Sequence, residues 1–438
     1  MKYFIETFGC QMNGHDSEKI AGMLAALGYE RAANAESADV IVLNTCCVRE
    51  NAENRFYGNL GRMKHLKETN KNARVAVCGC MAQRPDVVNE ILTSHPHVDV
   101  IFGTLNLRDF PRLLYENMKT GATAVEIKNE RPEITEPDAA GAVRNSRYKA
   151  SIDVIYGCDN FCSYCIVPYV RGREKSRPPR EIIREAGELV ADGVMEIMLL
   201  GQNVNSYGKD LAEKTSFAEL LRALSGIDGL RRIRFMTSNP KDLTDDLIDA
   251  VADCENVCKH IHLPLQSGST AVLKAMNRRY TKEGYVGLAE KIMAKIPGVS
   301  LTTDIIVGFP GETEDDFSDT LDVVSRVRFA NAFTFVYSKR PGTPAAAMEN
   351  EVGGDVIRER FKRLIALLNG EIYNRNAKRA GETLRVLAEE ENKVAGLITG
   401  RADDNTLVHF KGDGSTVGKI VDVKITEAKT FYLMGEHG

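Results

Sequence analysis

The stretch 158-CDNFCSYC-165 places three cysteines, Cys158, Cys162 and Cys165, within eight residues at CxxxCxxC spacing, with no fourth cysteine nearby. It follows the apolar run 151-SIDVIYG-157, which reads as a strand, so the thiols fall in the loop at that strand's carboxyl end. That edge is where α/β sheets and barrels build their sites. Three thiolates on one loop suit an iron–sulfur cluster in which one iron lacks a protein ligand, and an open iron is what reactive chemistry needs. A zinc staple is the other reading, although zinc takes four ligands in structural sites and favours paired CxxC spacing.

Around this loop the pattern is βα repeated. Six strand candidates, "SIDVIYG", "EIMLLGQ", "RIRFMTS", "HIHLPLQ", "LTTDIIVGF" and "AFTFVYS", alternate with helical periodicity such as Ile182, Ile183, Ala186, Leu189 and Val190. Six such units predict an open (β/α)6 partial barrel over residues 144–373, closed off by a long charged helix near residues 354–378. Residues 1–117 show a second alternation, with strands "KYFIETFG", "DVIVLNTC", "ARVAVCGC" and "VDVIFG". Runs that are apolar throughout predict a parallel sheet covered on both faces. The first helix is expected to carry Ile20, Met23, Leu24 and Leu27, with Asp16 or Ser17 as its N-cap. Residues 118–143, including "NERPEITEPDAAG", have no periodicity and read as a linker. Residues 374–438 hold five short strands with Gly-rich turns, the pattern of a small five-stranded β-barrel. The expected fold class is therefore α/β with a small β-barrel at the end.

The bulk composition sets limits. A chain of 438 residues, 43% hydrophobic and 27% charged, fits two or three globular domains. A formal charge of −4 excludes coating of nucleic acid by bulk electrostatics but allows local basic patches. With no apolar run of spanning length and no signal-peptide layout, the expected location is cytoplasmic, with no membrane partner. In that compartment thiols stay reduced, so the ten cysteines point to metal or thiol chemistry rather than disulfides.

Three further cysteines sit at strand ends in the first segment: Cys10, Cys46 and Cys80. Residues at the carboxyl ends of parallel strands share a crevice whatever their separation in sequence. Spacing alone does not choose between Cys46 and Cys47, or between Cys78 and Cys80. Cys254 and Cys258 read as packing residues.

Together these residues resemble a known family. CxxxCxxC after the first strand of a partial barrel is similar to the radical S-adenosylmethionine (SAM) signature. With "TFGCQMN", "NTCCVRENAE" and "VCGCMAQ" ahead of it, the chain resembles the methylthiotransferases over nearly its whole length. The motifs "GREKSRPPREI", "LLGQNVNSYG" and "HLPLQSGSTAVLKAMNRRYT" are those of the branch acting on isopentenylated tRNA. The resemblance implies two [4Fe-4S] clusters, a radical one on Cys158, Cys162 and Cys165 and an auxiliary one on Cys10, Cys46 and Cys80. It also implies SAM as cofactor and an RNA-binding TRAM domain at residues 374–438. The implied reaction is methylthiolation of carbon two of N6-isopentenyladenosine beside the anticodon, using two SAM and sulfur carried by the auxiliary cluster. The implied partners are tRNA and an electron donor such as flavodoxin or ferredoxin, and the chain is expected to be a monomer. "TSNP" departs from the pattern, with Asn239 where relatives often have His.

SAM contacts are expected on the remaining strand ends: Gln202 and Asn203 in "LLGQN", Gln266 and Ser267 in "LQSG", and Asp304 and Glu312 in "TDIIVGFPGET". The alternative for each is a cap or turn role. Basic residues following the cluster loop, Arg171, Arg173 and Lys175, are expected to contact RNA phosphates. Two rivals remain: a methylthiotransferase acting on a ribosomal protein or on threonylcarbamoylated adenosine, and a zinc-stapled RNA-binding module without catalysis.

Overall fold

The computed structural model describes residues 1–47, 50–130 and 141–437, with side chains described outside residues 50–52. The central part of the segment read as a linker, and two residues of the "NTCCVRENAE" motif, lie outside the described residues.

The first sheet is built from β1 (Lys2–Thr7), β2 (Glu30–Arg31), β3 (Val40–Thr45), β4 (Arg74–Gly79), β5 (Val100–Phe102) and β6 (Ala124–Glu126), all parallel, in the order β2-β1-β3-β4-β5-β6. The strand order reverses between β1 and β3, and a crevice opens beyond the strand ends at such a point. β3 is buried at all six positions because helices cover both faces. β6 was not expected: it falls in the segment read as a linker and is too short and too exposed to show periodicity.

The first helix spans Gln11–Ala26 with Cys10 at its N-cap, earlier than the expected start at Asp16 or Ser17. Its first turns bury Met12, Asn13, His15 and Asp16 against the rest of the molecule, so the apolar spacing that marks a helix is absent there.

The second unit begins with β7 (Lys149–Asp153), followed by a two-stranded ribbon of β8 (Ile155–Tyr156) and β9 (Lys175–Ser176) that brackets the cluster loop. It continues through β10 (Glu196–Leu200), β11 (Arg232–Phe235), β12 (His260–His262), β13 (Ser300–Val307) and β14 (Asn331–Val336). These six main strands form two parallel three-stranded sheets, β11-β10-β7 and β12-β13-β14, joined by a bridge between Ile233 and Val257. Period-two alternation divides their side chains. Ile152, Ile197, Leu199, Ile233, Phe235, Ile261, Leu301 and Ile305 pack outward into the largest apolar core with the helices. The other set, including Asp153, Glu196, Arg234, His260, His262, Thr302 and Asp304, lies on the opposite side, so the lumen is polar and suited to a site rather than a core.

Beyond the helix Gly354–Ala377, strands β15 (Thr383–Glu391), β16 (Leu397–Ala402), β17 (Leu407–Lys411), β18 (Ile420–Ala428) and β19 (Leu433–His437) close into a barrel in the order β15-β16-β17-β19-β18. It docks at the amino ends of the partial-barrel strands. Arg232 donates to the carbonyls of Arg385 and Arg401, and Arg234 donates to those of Ala402 and Asp403. Both guanidiniums are enclosed, and Arg234 Nε lies 2.9 Å from Glu196 Oε2. Burial pushes the Glu196 carboxyl up, but Arg234, Lys149 and Arg232 together hold it below the usual glutamate range. Among the described residues no helix is long and apolar enough to cross a membrane.

Arg234→Met removes the charge that balances buried Glu196. The expected loss, read by urea denaturation, is about 3–5 kcal/mol, with the small barrel released more readily by limited proteolysis. Because Glu196 titrates below its unfolded value, its contribution is full above the ordinary glutamate pKa and is lost as pH falls through the depressed one. The wild-type advantage therefore narrows in acid; an advantage independent of pH would contradict the assigned pair.

Candidate active site between two thiol constellations

The cluster loop is set by a turn that only glycine accommodates. Gly157 has φ +66°, and a Cβ there would lie 2.0 Å from the Arg173 carbonyl oxygen. Past it, Cys158, Cys162 and Cys165 are close enough for their charges to act on one another. Burial pushes the Cys158 thiol up to about 11 and the Cys165 thiol up to about 12, so ionising them requires a bound cation. Donors already point at the sulfurs. Asn160 Nδ2 lies 3.3 Å from Cys158 Sγ, and Arg278 Nη1 lies 3.4 Å from Cys162 Sγ. Tyr164 packs on Val272, Met276 and Phe309 on one side of the loop, while Phe161 lies edge-on to Tyr169 and under Arg173.

The second constellation stands at the reversal point of the first sheet. Cys10 follows β1, Cys46 and Cys47 follow β3, and Cys80 follows β4, as the shared-crevice reading required. A hydrogen bond with Cys46, helped by Arg171, outweighs burial, which acts the other way, and brings the Cys10 thiol down to about 6. Asn13 fixes the arrangement: Nδ2 donates to the carbonyls of Phe8 (2.9 Å) and Thr45 (2.6 Å), and Oδ1 lies 3.9 Å from both Cys10 Sγ and Cys80 Sγ. Cys78 points to the other face of the sheet, among Val42, Val100 and Phe102, and is a core residue. Cys254 and Cys258 pack in the second unit.

Arg171 joins the two constellations. It ends the short helix Val167–Arg171 just after Cys165, yet its Nη2 donates to Asn13 Oδ1 (2.6 Å) and Asp16 Oδ2 (3.0 Å). Burial works against its charge, but Cys80, Asp16 and Cys10 outweigh it and keep it protonated. This overturns the expected phosphate contact, since the side chain is 3% exposed and already paired. A basic run in sequence cannot show which of its members turns inward. Arg173 is 73% exposed and holds Asp159 at 2.6 Å, and Lys175 is half-buried on β9.

Each constellation thus sets thiols beside a guanidinium, Arg278 part-buried and Arg171 buried, an environment that fits an anionic iron–sulfur cluster. Among the described residues no three cysteine, histidine or carboxylate side chains converge closely enough to hold a single metal ion. A cluster is wider than an ion, and its ligands stand farther apart.

The expected SAM contacts divide. Gln202 lies at the interface, its Nε2 2.6 Å from Met12 Sδ of the first helix. Gln266 takes a left-handed backbone (φ +67°), pinned by bonds to the Asp304 carbonyl and the Ile306 amide. Asp304 faces His262 Nε2 at 3.5 Å. The other three are held for structure. Glu312 is sealed in an ion pair with Arg360 at 2.8 Å, Asn203 donates to Asp242, and Ser267 is fully enclosed and accepts from the Ser269 amide. Asn239 caps a turn at the Lys241 amide. Reading the sequence missed Asn13, Met12, Arg278 and His262. All four stand inside motifs quoted above, Met12 and Asn13 in "GCQMN" and His262 and Arg278 in "HLPLQSGSTAVLKAMNRRYT", but nothing in the sequence marked them apart from their neighbours.

Between β7 and β14 the partial barrel is open. A cavity of about 880 Å³ lies there, reached by Met198, His260 and Phe333 of the lumen, His15 of the first helix, and Asp404 and Phe431 of the small barrel. Phe431 is 58% exposed because it sits in the β18–β19 turn, whereas Phe410 is core and Tyr432 lies against His409.

Comparison with known proteins gives a consistent picture. Residues 2–103 match uncharacterized protein family UPF0004, residues 152–324 the radical SAM superfamily, and residues 377–437 the TRAM domain. A tRNA-2-methylthio-N(6)-dimethylallyladenosine synthase of Alkaliphilus oremlandii is 53% identical, over 99% of this chain and 92% of the relative. One of Acetivibrio thermocellus is 54% identical, over 99% and 90%. Among solved structures, the radical S-adenosylmethionine methyltransferase TsrM of Kitasatospora setae, with cobalamin and a [4Fe-4S] cluster bound, superposes with a TM-score of 0.55 at 14% identity, over 79% of this chain and 74% of that one, a likeness of fold alone. Relatives this similar from end to end leave one assignment: the chain belongs to the tRNA-2-methylthio-N(6)-dimethylallyladenosine synthase family of radical SAM enzymes.

Proposed function

We propose that this chain methylthiolates carbon two of N6-isopentenyladenosine beside the anticodon of tRNA, using two SAM molecules and sulfur carried by an auxiliary cluster. The observation that supports this most is the pairing of two thiol sites across one interface, each with its own arginine, Arg171 and Arg278. Cys158, Cys162 and Cys165 would hold the radical [4Fe-4S] cluster, and Cys10, Cys46 and Cys80 the auxiliary one. When bound with SAM, the reduced cluster supplies hydrogen abstraction from an unactivated carbon, which acid–base chemistry does not reach.

The residues of the chain position and enclose. Arg278 and Asn160 offset the charge of the Cys162 and Cys158 sulfurs. Tyr164 and its apolar neighbours keep water from the loop. Gln202 and Gln266 are the favoured SAM contacts, with Asp304 beside them, and the left-handed backbone of Gln266 is strain of the kind found at ligand sites. Arg173 and Lys175 would meet phosphates, and the small barrel would hold the RNA against the open side of the lumen. A cytoplasmic monomer reduced by a flavodoxin or ferredoxin fits this reading.

Nucleoside mass spectrometry of tRNA from cells with and without the chain tests the substrate. Loss of the methylthio nucleoside with its isopentenyl precursor accumulating is expected; an unchanged profile moves the substrate to a ribosomal protein. Cys158→Ala should cut iron from about eight to about four per chain and abolish deoxyadenosine formation, leaving tRNA affinity intact. Retained turnover would refute the radical assignment.

The two arginines should behave differently. Arg173→Ala is expected to weaken tRNA binding at all sequences and reduce the salt slope by about one. Arg171→Met should leave that slope unchanged and lose auxiliary-cluster iron. The reverse pattern would return Arg171 to the RNA surface.

A further inference from the structure

Four thiols, not three, are enclosed at the reversal point of the first sheet. Cys80 is hydrogen-bonded to Cys47, and Cys10 to Cys46. Cys46, Cys47 and Cys80 are all buried in one cluster with Phe8, Met81 and Ala82. Consecutive residues in an extended strand would point to opposite faces, but β3 ends at Thr45, and beyond it Cys46 lies beside Cys10 and Cys47 beside Cys80. A cysteine that only packs needs apolar neighbours, as Cys78 has on the other face of the sheet. Cys47 has apolar neighbours too, but unlike Cys78 it also meets the sulfur of an assigned ligand.

We infer that Cys47 is an exchangeable fourth ligand of the auxiliary cluster, covering the iron that Cys10, Cys46 and Cys80 leave open and giving it up when sulfur arrives. This rests on the auxiliary cluster occupying this crevice. Hydrogen sulfide balances the exchange: the bond between iron and Cys47 sulfur breaks, a bond between iron and hydrosulfide forms, and the proton released by hydrogen sulfide passes to the Cys47 thiolate. No electron moves. The open iron is thereby shielded between turnovers, and the thiolate count beside Arg171 is restored after each sulfur leaves.

The test uses the full chain carrying Cys158→Ala, Cys162→Ala and Cys165→Ala, reconstituted anaerobically so that the auxiliary cluster alone remains. Iron content, the electron paramagnetic resonance spectrum of the reduced cluster and titration with sodium sulfide are compared with and without Cys47→Ala, and with Cys47→Ser as a variant of similar volume. Both variants should keep the about four irons of one cluster, and their spectra without sulfide should differ from the parent's. All spectra should coincide at saturating sulfide. If Cys47 covers the iron about nine-tenths of the time, half-saturation moves to about tenfold lower sulfide in Cys47→Ala. Iron retained with an unchanged spectrum and titration overturns the exchange. Iron lost from Cys47→Ala but kept in Cys46→Ala also overturns it, making Cys47 a permanent ligand. A parent without iron overturns the cluster assignment itself.

Discussion

A guanidinium shut away from water must be matched by negative charge, and Arg171 is matched only across a domain boundary. Its backbone belongs to the loop that carries the first three thiols, whereas Asp16, Cys80 and Cys10, which outweigh its burial, belong to the first sheet. Breaking one side of such a pair costs several kcal/mol, because the remaining charge stays buried. The two units therefore cannot separate without stranding this charge. Ile166 and Val170 of the same segment pack into the apolar cluster of the first unit, and Lys19 holds Asp153 of β7 at 2.6 Å. Each strand-end crevice is one wall of a shared site.

This fixes what each thiol set is able to do. The burial that raises Cys158 and Cys165 also excludes water from chemistry that water would quench. Cys10 and Cys80, by contrast, are lowered by hydrogen bonds from neighbouring thiols and by Arg171, so that side is ready to ligate. The divergence of the two environments suits the division of labour proposed for them, a reactive centre on one side and a sulfur store on the other.

Much of this was readable in the chain because parallel strands send their carboxyl ends to one edge. A cysteine just after a strand is therefore a spatial statement, which is why Cys10, Cys46 and Cys80 could be grouped without contacts. Side-chain direction was not readable. Arg171 and Arg173 belong to one basic run, yet one is sealed and the other solvated, because the helix ends at Arg171 and the chain turns at Gly172, φ +76°, before Arg173. Glu312 and Ser267 looked placed for a cofactor because the partners that occupy them, Arg360 and the Ser269 amide, become visible only once the chain is folded. β6 was hidden for a different reason: three residues at a sheet edge bury too little to leave a pattern.

The carboxyl-terminal barrel gives the same logic a second setting. Arg232 and Arg234 lie on the lumen side of β11, and between them they donate to four backbone carbonyls of the small barrel. Backbone acceptors do not depend on which side chains the small barrel displays, so its outer surface can vary for RNA while its seat stays fixed. With Asp404 and Phe431 on one flank of the open seam and the first helix on the other, the third unit is clamped beside the opening of the lumen, where the proposed reading brings the RNA. An appendage on a flexible tether would raise the local concentration of RNA without orienting it. One held by buried arginines also sets the direction of approach, and direction is what a short-lived reactive species at the cluster loop requires.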